Sequence, residues 1–252
     1  MTIFIISIIL LVISIAATVE KLRLKKEEEA KRNNLSKQDQ AIRTPINHQN
    51  NYEAKPNYKK SSTVRSQTAE YMKYTRARKL TENYVVFDFE TTGFDVFESQ
   101  IIQIAAVQYE NHKKIDEYVT FVNPRLSIPE KITQITGISD NDVRDAPVLQ
   151  NVLPDLISFI QGYDLVAHNA SFDMKFLLYS MNKFNIPYQR FRVLDTLSLA
   201  RKYINTENHK LVTLKKHFKL DEYVSHNALD DCFVTGEVYK YCYEQSMQSI
   251  PS

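Results

Sequence analysis

The stretch from Val85 to Gly93 constrains the fold more than any other part of the chain. It reads Val-Val-Phe-Asp-Phe-Glu-Thr-Thr-Gly, a run of residues that favour β-strands, stopped by a glycine. Because side chains alternate between the two faces of a strand, Asp88 and Glu90 point to one face and the neighbouring phenylalanines to the other. Two adjacent carboxylates on a buried strand repel each other unless a cation joins them. The stretch therefore predicts either a metal-binding strand or an edge strand whose acids are solvated.

Charge is divided unevenly along the 252 residues, although the net charge is only +2. Residues 20–80 hold 16 Lys/Arg against 7 Asp/Glu, and residues 81–252 hold 16 against 23. A basic segment therefore precedes an acidic domain, which would need metal ions or a local basic patch to handle nucleic acid. The length allows one sizeable domain with additions. The two cysteines, Cys232 and Cys242, fall in one predicted helix and imply no disulfide framework.

The N-terminal region predicts a membrane anchor. Residues 3–19 carry no charge and are mostly apolar, and as a helix they would span roughly 25 Å, at the short end for a membrane crossing. A cleaved secretory signal peptide is the alternative, but no Lys or Arg precedes the apolar run. Four basic residues follow it, at 21, 23, 25 and 26. By the positive-inside rule we expect a single-pass protein with residues 1–19 in the membrane lipid and the following domain in the cytoplasm.

Four further segments follow the anchor. Residues 20–67, basic at first and then rich in Asn, Gln, Ser and Lys, predict a juxtamembrane stretch and a disordered linker. Residues 68–81 form a lead-in segment that reads as a solvated helix or as a basic, aromatic strip for nucleic acid. The main domain is expected over 82–245, and residues 246–252 form a tail.

The main domain alternates strand and helix patterns. Strands are expected at 85–93, 101–109, up to about 122, 165–169 and 192–194, with a hairpin turn at Asn111 and His112. Helices are expected near 130–135, 140–144, 148–159, 171–183, 196–203, 211–218 and 228–244, with Ser171 as the cap of the fourth. A hairpin followed by alternating helices and strands indicates an α/β domain, with a mixed sheet flanked by helices.

Two later stretches add acids to the pair on the first strand. His168-Asn169-Ala170-Ser171-Phe172-Asp173 crosses from a strand into a helix, and Asp173 falls in the first turn, where the helix dipole alone favours an acid. The second stretch runs from His226 to Asp231. Asn227 can cap the last helix, which places Asp230 at the third helical position, where an acid supports the capping arrangement. Asp231 lies about 100° further round and is the functional candidate. His226 precedes that helix and could reach a water molecule.

These three motifs resemble the exonuclease motifs of the DEDDh 3′→5′ exonucleases, the superfamily that includes the proofreading ε subunit of bacterial DNA polymerase III. The motifs are Asp88-x-Glu90-Thr-Thr-Gly, His168-Asn-Ala-x-Phe-Asp173 and His226-x4-Asp231, and the resemblance covers about residues 82–245. The sister class, with Tyr-x3-Asp, is disfavoured because position 227 is Asn. The resemblance implies a ribonuclease H-like fold. The added anchor and linker depart from the family's short lead-in.

The resemblance also implies roles for individual residues. Two Mg²⁺ or Mn²⁺ ions would be held by carboxylates, and a histidine would take a proton from the attacking water. Backbone groups of the first motif would fix the terminal nucleotide. The amide of Asn169 and the ring of Phe172, both from the second motif, would also contact it, and the ring of Phe94 is a further stacking candidate. By position, these are the metal ligands Asp88, Glu90, Asp173 and Asp231, the base His226, and the substrate-binding residues Thr91, Thr92, Gly93, Asn169 and Phe172.

The sequence therefore predicts a metal-dependent exonuclease that releases 5′-mononucleotides from the 3′ end of single-stranded nucleic acid, with DNA the first choice. An RNA-trimming or oligoribonuclease-like enzyme is one alternative. A non-catalytic module that binds nucleic-acid ends or a polymerase is another. A DNA polymerase or repair assembly is the expected protein partner.

Overall fold

The computed structural model describes residues 73–187 and 189–248. The predicted anchor and linker, the first part of the lead-in segment and the end of the tail lie outside the described residues. Within the part of the chain that is described, no helix is long and apolar enough to cross a membrane.

The described chain forms a mixed sheet with helices on both faces, which confirms the predicted α/β class. The strands are β1 (Thr75–Arg76), β2 (Tyr84–Thr91), β3 (Ile101–Glu110), β4 (Lys113–Phe121), β5 (Asp164–Ala167) and β6 (Arg192–Asp195). The helices are α1 (Glu130–Thr136), α2 (Asp140–Val143), α3 (Leu149–Ile160), α4 (Ser171–Lys183), α5 (Thr196–Tyr203), α6 (Leu211–His217) and α7 (Ala228–Gln248). The strand order is β1-β6-β5-β2-β3-β4.

The sheet combines an antiparallel hairpin with parallel strands. β2, β3 and β4 pair antiparallel, and the turn between β3 and β4 has both Asn111 and His112 at positive φ, as a tight hairpin turn requires. β5 pairs parallel with β2 on one side and with β6 on the other. The predicted hairpin is therefore confirmed, and β2 lies inside the sheet, so the edge-strand alternative is wrong.

Strand β2 separates two packing layers because its side chains alternate. Val85, Phe87 and Phe89 belong to the core that contains residues of α3 and α4. Tyr84 and Val86 belong to a second core, which α7 covers. The carboxylates of β2 have the same parity as this second set, so the alternation directs them toward the α7 layer.

The helix expected in the lead-in segment is wrong over its described part. Residues 75 and 76 form β1, which adds to the edge of the sheet in parallel with β6. The N–H of Thr75 donates to the carbonyl of Phe191, and the N–H of Ala77 donates to the carbonyl of Val193. The edge of β6 offers unpaired backbone groups. Pairing with them overrides the weak helix propensity of a short charged segment.

The predicted start of α4 also needs correction. Ser171 is the first residue of the helix, and its cap position is taken by Ala170, whose side chain makes no capping hydrogen bond. A carboxylate of Asp195, at the end of β6, accepts hydrogen bonds from the N–H groups of Asn169 and Ala170 at 3.0 and 3.4 Å. This tertiary contact fixes the turn into α4 in place of a local serine cap.

Candidate active site

The site lies where β2 projects beyond β5, at the start of α7. The register between β2 and β5 covers only residues 84–86 of β2, so Asp88 and Glu90 lie past the parallel ladder. A register shift between Glu90 and Thr91 interrupts the pairing with β3 at the same place. Irregularities of this kind bend a strand and aim side chains at functional sites. The end of β2 therefore turns toward α7.

Helix α7 begins as the sequence predicts, with Asn227 as its cap. The side-chain oxygen of Asn227 accepts hydrogen bonds from the N–H groups of Leu229 and Asp230, at 3.2 and 3.3 Å. Asp230 does not complete a reciprocal capping box, because its carboxylate accepts the N–H of Val224 at 2.7 Å. It therefore holds the turn before the helix, which is a structural role.

Asp231 lies one position further round α7 and meets Glu90 and His226. One ligand atom from each of these three residues lies within 4.8 Å of the others, an arrangement that could hold a metal ion. The carboxylate of Asp231 also accepts the N–H of His226 at 3.0 Å. His226 has a φ of 63°, and this hydrogen bond compensates part of the cost of that conformation. The imidazole remains exposed.

Asp173 joins the cluster from α4. It occupies the third position of the helix, is only 2% exposed, and accepts the N–H of Phe89 at 3.2 Å. Phe89 lies beyond the residues of β2 that pair with β5, so the carboxylate takes the place that a strand partner would occupy. The side chain of Asp173 therefore links the start of α4 to the end of β2.

Burial raises the pKa of all four acids, and repulsion from other acids of the cluster adds to this at Asp88, Glu90 and Asp173. Burial, followed by the charges of Asp173, Glu90 and Asp231, raises the pKa of Asp88 well above its usual range. Burial raises the pKa of Glu90 to about 7 and that of Asp173 to about 8. For Asp231 burial raises the pKa to about 6, against the lowering effects of the His226 hydrogen bond and the charges of His226 and Lys215.

This donor set fits divalent cations. Carboxylate oxygens are the ligands that Mg²⁺ and Mn²⁺ prefer, and buried carboxylates that repel one another are stabilised when a cation neutralises them. Asp88, Glu90, Asp173 and Asp231 converge from three separate elements and supply such oxygens.

The loop after β2 uses its threonines to hold its own shape. The hydroxyl of Thr91 donates to the carbonyl of Gly93 at 2.7 Å, and that of Thr92 accepts the N–H of Gln100 at 2.9 Å. The N–H of Thr92 donates to the carbonyl of Gln100 and is therefore engaged within the protein. A Cβ at Gly93 would lie 2.7 Å from the hydroxyl of Ser99. Glycine at position 93 therefore leaves room for the side chain of Ser99.

An aromatic pocket adjoins the loop. Phe94 is 86% exposed, and its ring centroid lies 6.2 Å from that of Phe172, which in turn lies 5.0 Å from Phe176. These rings, with Phe97 and Lys175, line a cavity of about 470 Å³. A phenylalanine so exposed contributes little to the core and is free to contact a ligand.

The remaining residues of the second motif fix the backbone beside the site. His168 accepts from the hydroxyl of Thr196 and donates to the carbonyl of His209, both at 2.9 Å. Burial lowers its pKa, which keeps the ring neutral for this pattern. Asn169 has a φ of 62°, and its N–H is held by Asp195.

One supporting residue was missed by the sequence analysis. Gln103 lies opposite Glu90 in the β2–β3 register, and its side-chain oxygen accepts the N–H of Ala228 at 3.1 Å. It therefore fixes the first turn of α7, which carries Asp231. The signal was present, since Gln103 is the one polar residue between buried isoleucines of β3 and buried polar groups require partners.

Comparison with known families identifies the class of this domain. A family model described as "Exonuclease" matches residues 85–239, which is more than half of the chain. The chain therefore belongs to the exonuclease family, and its domain is a 3′→5′ exonuclease domain of the DEDDh type. Family members use divalent metal ions, and the acidic cluster is the candidate site for them.

The curated relatives include PolC-type DNA polymerases III. The chain is 41% identical over 157 residues to a PolC-type DNA polymerase III from Caldanaerobacter subterraneus, and 39% identical over 167 residues to that of Bacillus subtilis. The matches cover 62% and 65% of this chain but only 11% and 12% of the relatives. The chain thus spans about a tenth of the length of these polymerases.

Solved structures share the ribonuclease H-like fold. Exonuclease X in complex with 5′-overhanging duplex DNA has 26% identity and a TM-score of 0.51, over 66% of this chain and 92% of that one. Escherichia coli exonuclease I in complex with a dT13 oligonucleotide has 16% identity and a TM-score of 0.59, over 67% and 42%.

Proposed function

We propose that this chain hydrolyses single-stranded DNA from the 3′ end and releases 5′-mononucleotides. The observation that supports this most strongly is the convergence of four carboxylates from β2, α4 and α7 beside an exposed histidine, with Asp173 buried and the other three half-buried. Such a cluster destabilises the fold without a cation, so its presence is best explained by metal-dependent chemistry at a phosphate.

In this proposal the acids hold two Mg²⁺ or Mn²⁺ ions. Asp88 and Glu90 on β2 and Asp231 on α7 would hold the tighter ion, and Asp88 and Asp173 would serve the second, Asp173 through water. When bound, the two ions would stabilise the attacking and leaving oxygens of the displacement. The hydrogen bond from Phe89 to Asp173 orients that carboxylate and leaves its second oxygen for the water.

His226 is proposed to accept the proton of the attacking water. Its ring is exposed and lies beside Glu90 and Asp231, and a histidine is suited to proton transfer near neutral pH. Its backbone N–H is fixed by Asp231, so the loop that presents the imidazole is anchored to the acid next to it.

The terminal nucleotide is proposed to lie against the loop after β2 and the start of α4. Phe94 and Phe172 offer ring faces for a base, and such stacking is tolerant of sequence. Thr91, Thr92 and Gly93 shape the loop, and free backbone groups there contact the nucleotide. Asn169 adds a hydrogen bond from the opposite side. Since the described site has no element that reads base edges, little sequence preference is expected.

The choice of DNA and of a partner rests on relatives. The curated relatives are named as DNA polymerases, and a solved neighbour is named in complex with a DNA oligonucleotide. We therefore propose a DNA polymerase or repair assembly as the partner. An oligoribonuclease-like or RNA-trimming enzyme and a non-catalytic end-binding module are the alternatives.

We also propose that the domain works at a membrane. The uncharged run at 3–19 and the basic residues after it support a single-pass anchor with the exonuclease domain in the cytoplasm. The basic part of residues 20–67 would rest on anionic lipid, and the remainder would act as a flexible tether. Protease treatment of intact cells tests this topology, because a cytoplasmic domain stays protected. Recovery of a mature chain outside the cytoplasm contradicts it.

Hydrolysis of matched DNA and RNA strands by the full chain tests the activity. With Mg²⁺ we expect stepwise shortening of a 5′-labelled single strand of DNA and release of unlabelled 5′-mononucleotides from its 3′ end. We expect neither with EDTA, and slower turnover of RNA. Faster turnover of RNA would support the RNA-trimming alternative. Binding of the strand without cleavage in Mg²⁺ and in Mn²⁺ would support the non-catalytic module.

A further inference from the structure

A second cleft adjoins the start of α4 and shares no lining residue with the aromatic pocket. It has a volume of about 540 Å³ and runs between β1 with the residues after it, the end of β6 and helix α5. Asn169, Ala170 and Ser171 of the second motif line one end. The cleft is therefore continuous with the segment that carries Asp173.

Three arginines line this cleft. Arg76 and Arg78 come from β1 and the segment after it, and Arg201 comes from α5. All three are exposed, and none forms an ion pair with another described residue. Residues 81–252 carry 16 basic against 23 acidic side chains, so three unpaired guanidinium groups in one cleft stand out against the charge of the domain.

The acid within the cleft is already engaged. Asp195 accepts the N–H groups of Asn169, Ala170 and Leu197, and the hydroxyl of Ser198 donates to it at 2.7 Å. Four donors disperse the charge of this carboxylate, which leaves the arginines as the groups free to meet a ligand. Guanidinium groups prefer phosphate and carboxylate oxygens.

Arg76 lies on β1, and Arg78 lies two residues further along the chain. The N–H groups of Thr75 and Ala77 donate to β6 and its neighbouring residue. These hydrogen bonds fix the backbone on both sides of Arg76 and directly before Arg78. These residues also precede the region matched by the family model, 85–239. Arg76 and Arg78 therefore lie before the matched region and supply positive charge next to the second motif.

We infer that this arginine cleft, defined by Arg76, Arg78 and Arg201, binds the phosphate backbone of the nucleic-acid strand behind its 3′-terminal nucleotide. The inference rests on the proposed function, because the strand must end in the carboxylate cluster. DNA and RNA share the phosphate chemistry, and the cleft would hold either. Its role is to supply the local attraction that the acidic domain lacks.

Strand length and salt separate this site from the catalytic cluster. The double variant Arg76→Gln/Arg78→Gln of the full chain should raise the KM for a strand of about 12 nucleotides roughly tenfold, but that for a trinucleotide less than about twofold. Since each phosphate contact contributes about 0.7 to the salt dependence of single-strand binding, that slope should fall by about 1.4, and by about 2 when Arg201→Gln is added.

The matched control is Lys113→Gln/Lys114→Gln. These two residues lie on β4, at the edge of the sheet opposite to β1, and their removal subtracts the same charge. We expect the control to keep the wild-type ratio of long-strand to short-strand KM. If the control changes that ratio as much as the arginine variant does, the effect is one of net charge and the cleft is not the site.

Two further outcomes decide against the inference. Equal changes of KM for long and short strands would place the arginines' effect at the terminal nucleotide. The double variant could also bind the strand as the wild type does but no longer sediment with phosphatidylcholine vesicles that contain about one-third phosphatidylserine. That result would identify the cleft as a lipid-binding site.

Strand binding and hydrolysis are measured in separate experiments, on the wild-type chain and on the arginine variants. Anisotropy of a labelled strand in EDTA reports the cleft, and mononucleotide release in Mg²⁺ reports the catalytic cluster. Arginine-dependent binding without release would overturn the proposed function and leave the cleft as a binding site. Release with an arginine-independent KM would overturn the cleft alone. If the double variant shows no cooperative thermal unfolding by circular dichroism, the single variants Arg76→Gln and Arg78→Gln replace it. Each is expected to show half the effect of the double variant.

Discussion

Strand β2 and helix α7 meet at two ends that are built from opposite kinds of side chain. At the tyrosine end, the ring centroids of Tyr84 and Tyr239 lie 4.4 Å apart, and the hydroxyl of Tyr239 bonds both the N–H and the carbonyl of Thr81 at 2.9 Å. At the carboxylate end, Asp88 and Glu90 face Asp231. One end is a cluster of packed rings with a doubly hydrogen-bonded tyrosine hydroxyl, and the other is a set of like charges.

The contrast shows how one pair of elements carries both stability and chemistry. Ring packing and paired hydrogen bonds at the tyrosine end contribute favourable free energy. The carboxylate end subtracts from it until a cation binds. Substitutions at the two ends should therefore affect different properties, and this separation can be tested.

The largest effect is expected at the carboxylate end, from Asp88→Asn. Removal of one ligand charge should lower hydrolysis at least about a thousandfold, since metal ions supply several kcal/mol of charge stabilisation. The variant should keep its fold and melt no lower than the wild type in EDTA, because a repulsive charge is gone. Turnover and thermal melting check this. Near-wild-type turnover would show that Asp88 is not a ligand.

His226→Ala should lower kcat by roughly 10²–10⁴, the usual contribution of a general base. The carboxylates are unchanged, so Mg²⁺ should still raise the melting temperature of the variant. A pH–rate profile measured for both proteins gives the decisive comparison. If the two profiles have the same shape, His226 is not the group that takes the proton.

Stability in EDTA should depend on pH through Asp173. Its pKa of about 8 in the folded protein exceeds the value near 4 of an unfolded aspartate, so between these values the folded state binds more protons. The free energy of unfolding therefore falls as pH rises through this window. Urea denaturation should show a shallower fall for Asp173→Asn, which should be more stable at pH 8 by about 1–3 kcal/mol. Parallel curves would exclude the aspartate as the source.

The smallest effect is expected at the tyrosine end, from Tyr239→Phe. Loss of both hydrogen bonds to Thr81 should lower the free energy of unfolding by about 1–2 kcal/mol, while kcat stays within about twofold. Tyr243→Phe is the matched control, since its hydroxyl bonds only the exposed side chain of Glu82. A large loss of kcat in Tyr239→Phe would mean that the two ends are coupled through α7.

Local chemistry explains which features the sequence could predict. The alternation of β2, the turn at Asn111 and the cap at Asn227 depend on a few neighbouring residues, and each was predicted. The lead-in strand and the start of α4 depend on partners far along the chain, β6 and Asp195. No local pattern encodes such partners, so both predictions failed.

The same limit applied within the site. The motif residues could be placed by their resemblance and by helix geometry, including the division between Asp230 and Asp231. The role of Gln103 could not, because it depends on β3 and α7 meeting across a separation of 125 residues. The size of the repulsion between the acids could not be predicted from the sequence either, because it depends on how deeply the carboxylates are buried.

The position of α7 along the chain has a consequence for biosynthesis. Ribosomes release a chain from its N-terminal end at about 5–20 residues per second, and α7 follows every other described element. Until it emerges, the nascent protein holds Asp88, Glu90 and Asp173 but lacks Asp231 and His226. A chain still being translated therefore lacks two members of the proposed catalytic cluster, and we expect it to hydrolyse nucleic acid only after the final helix has docked.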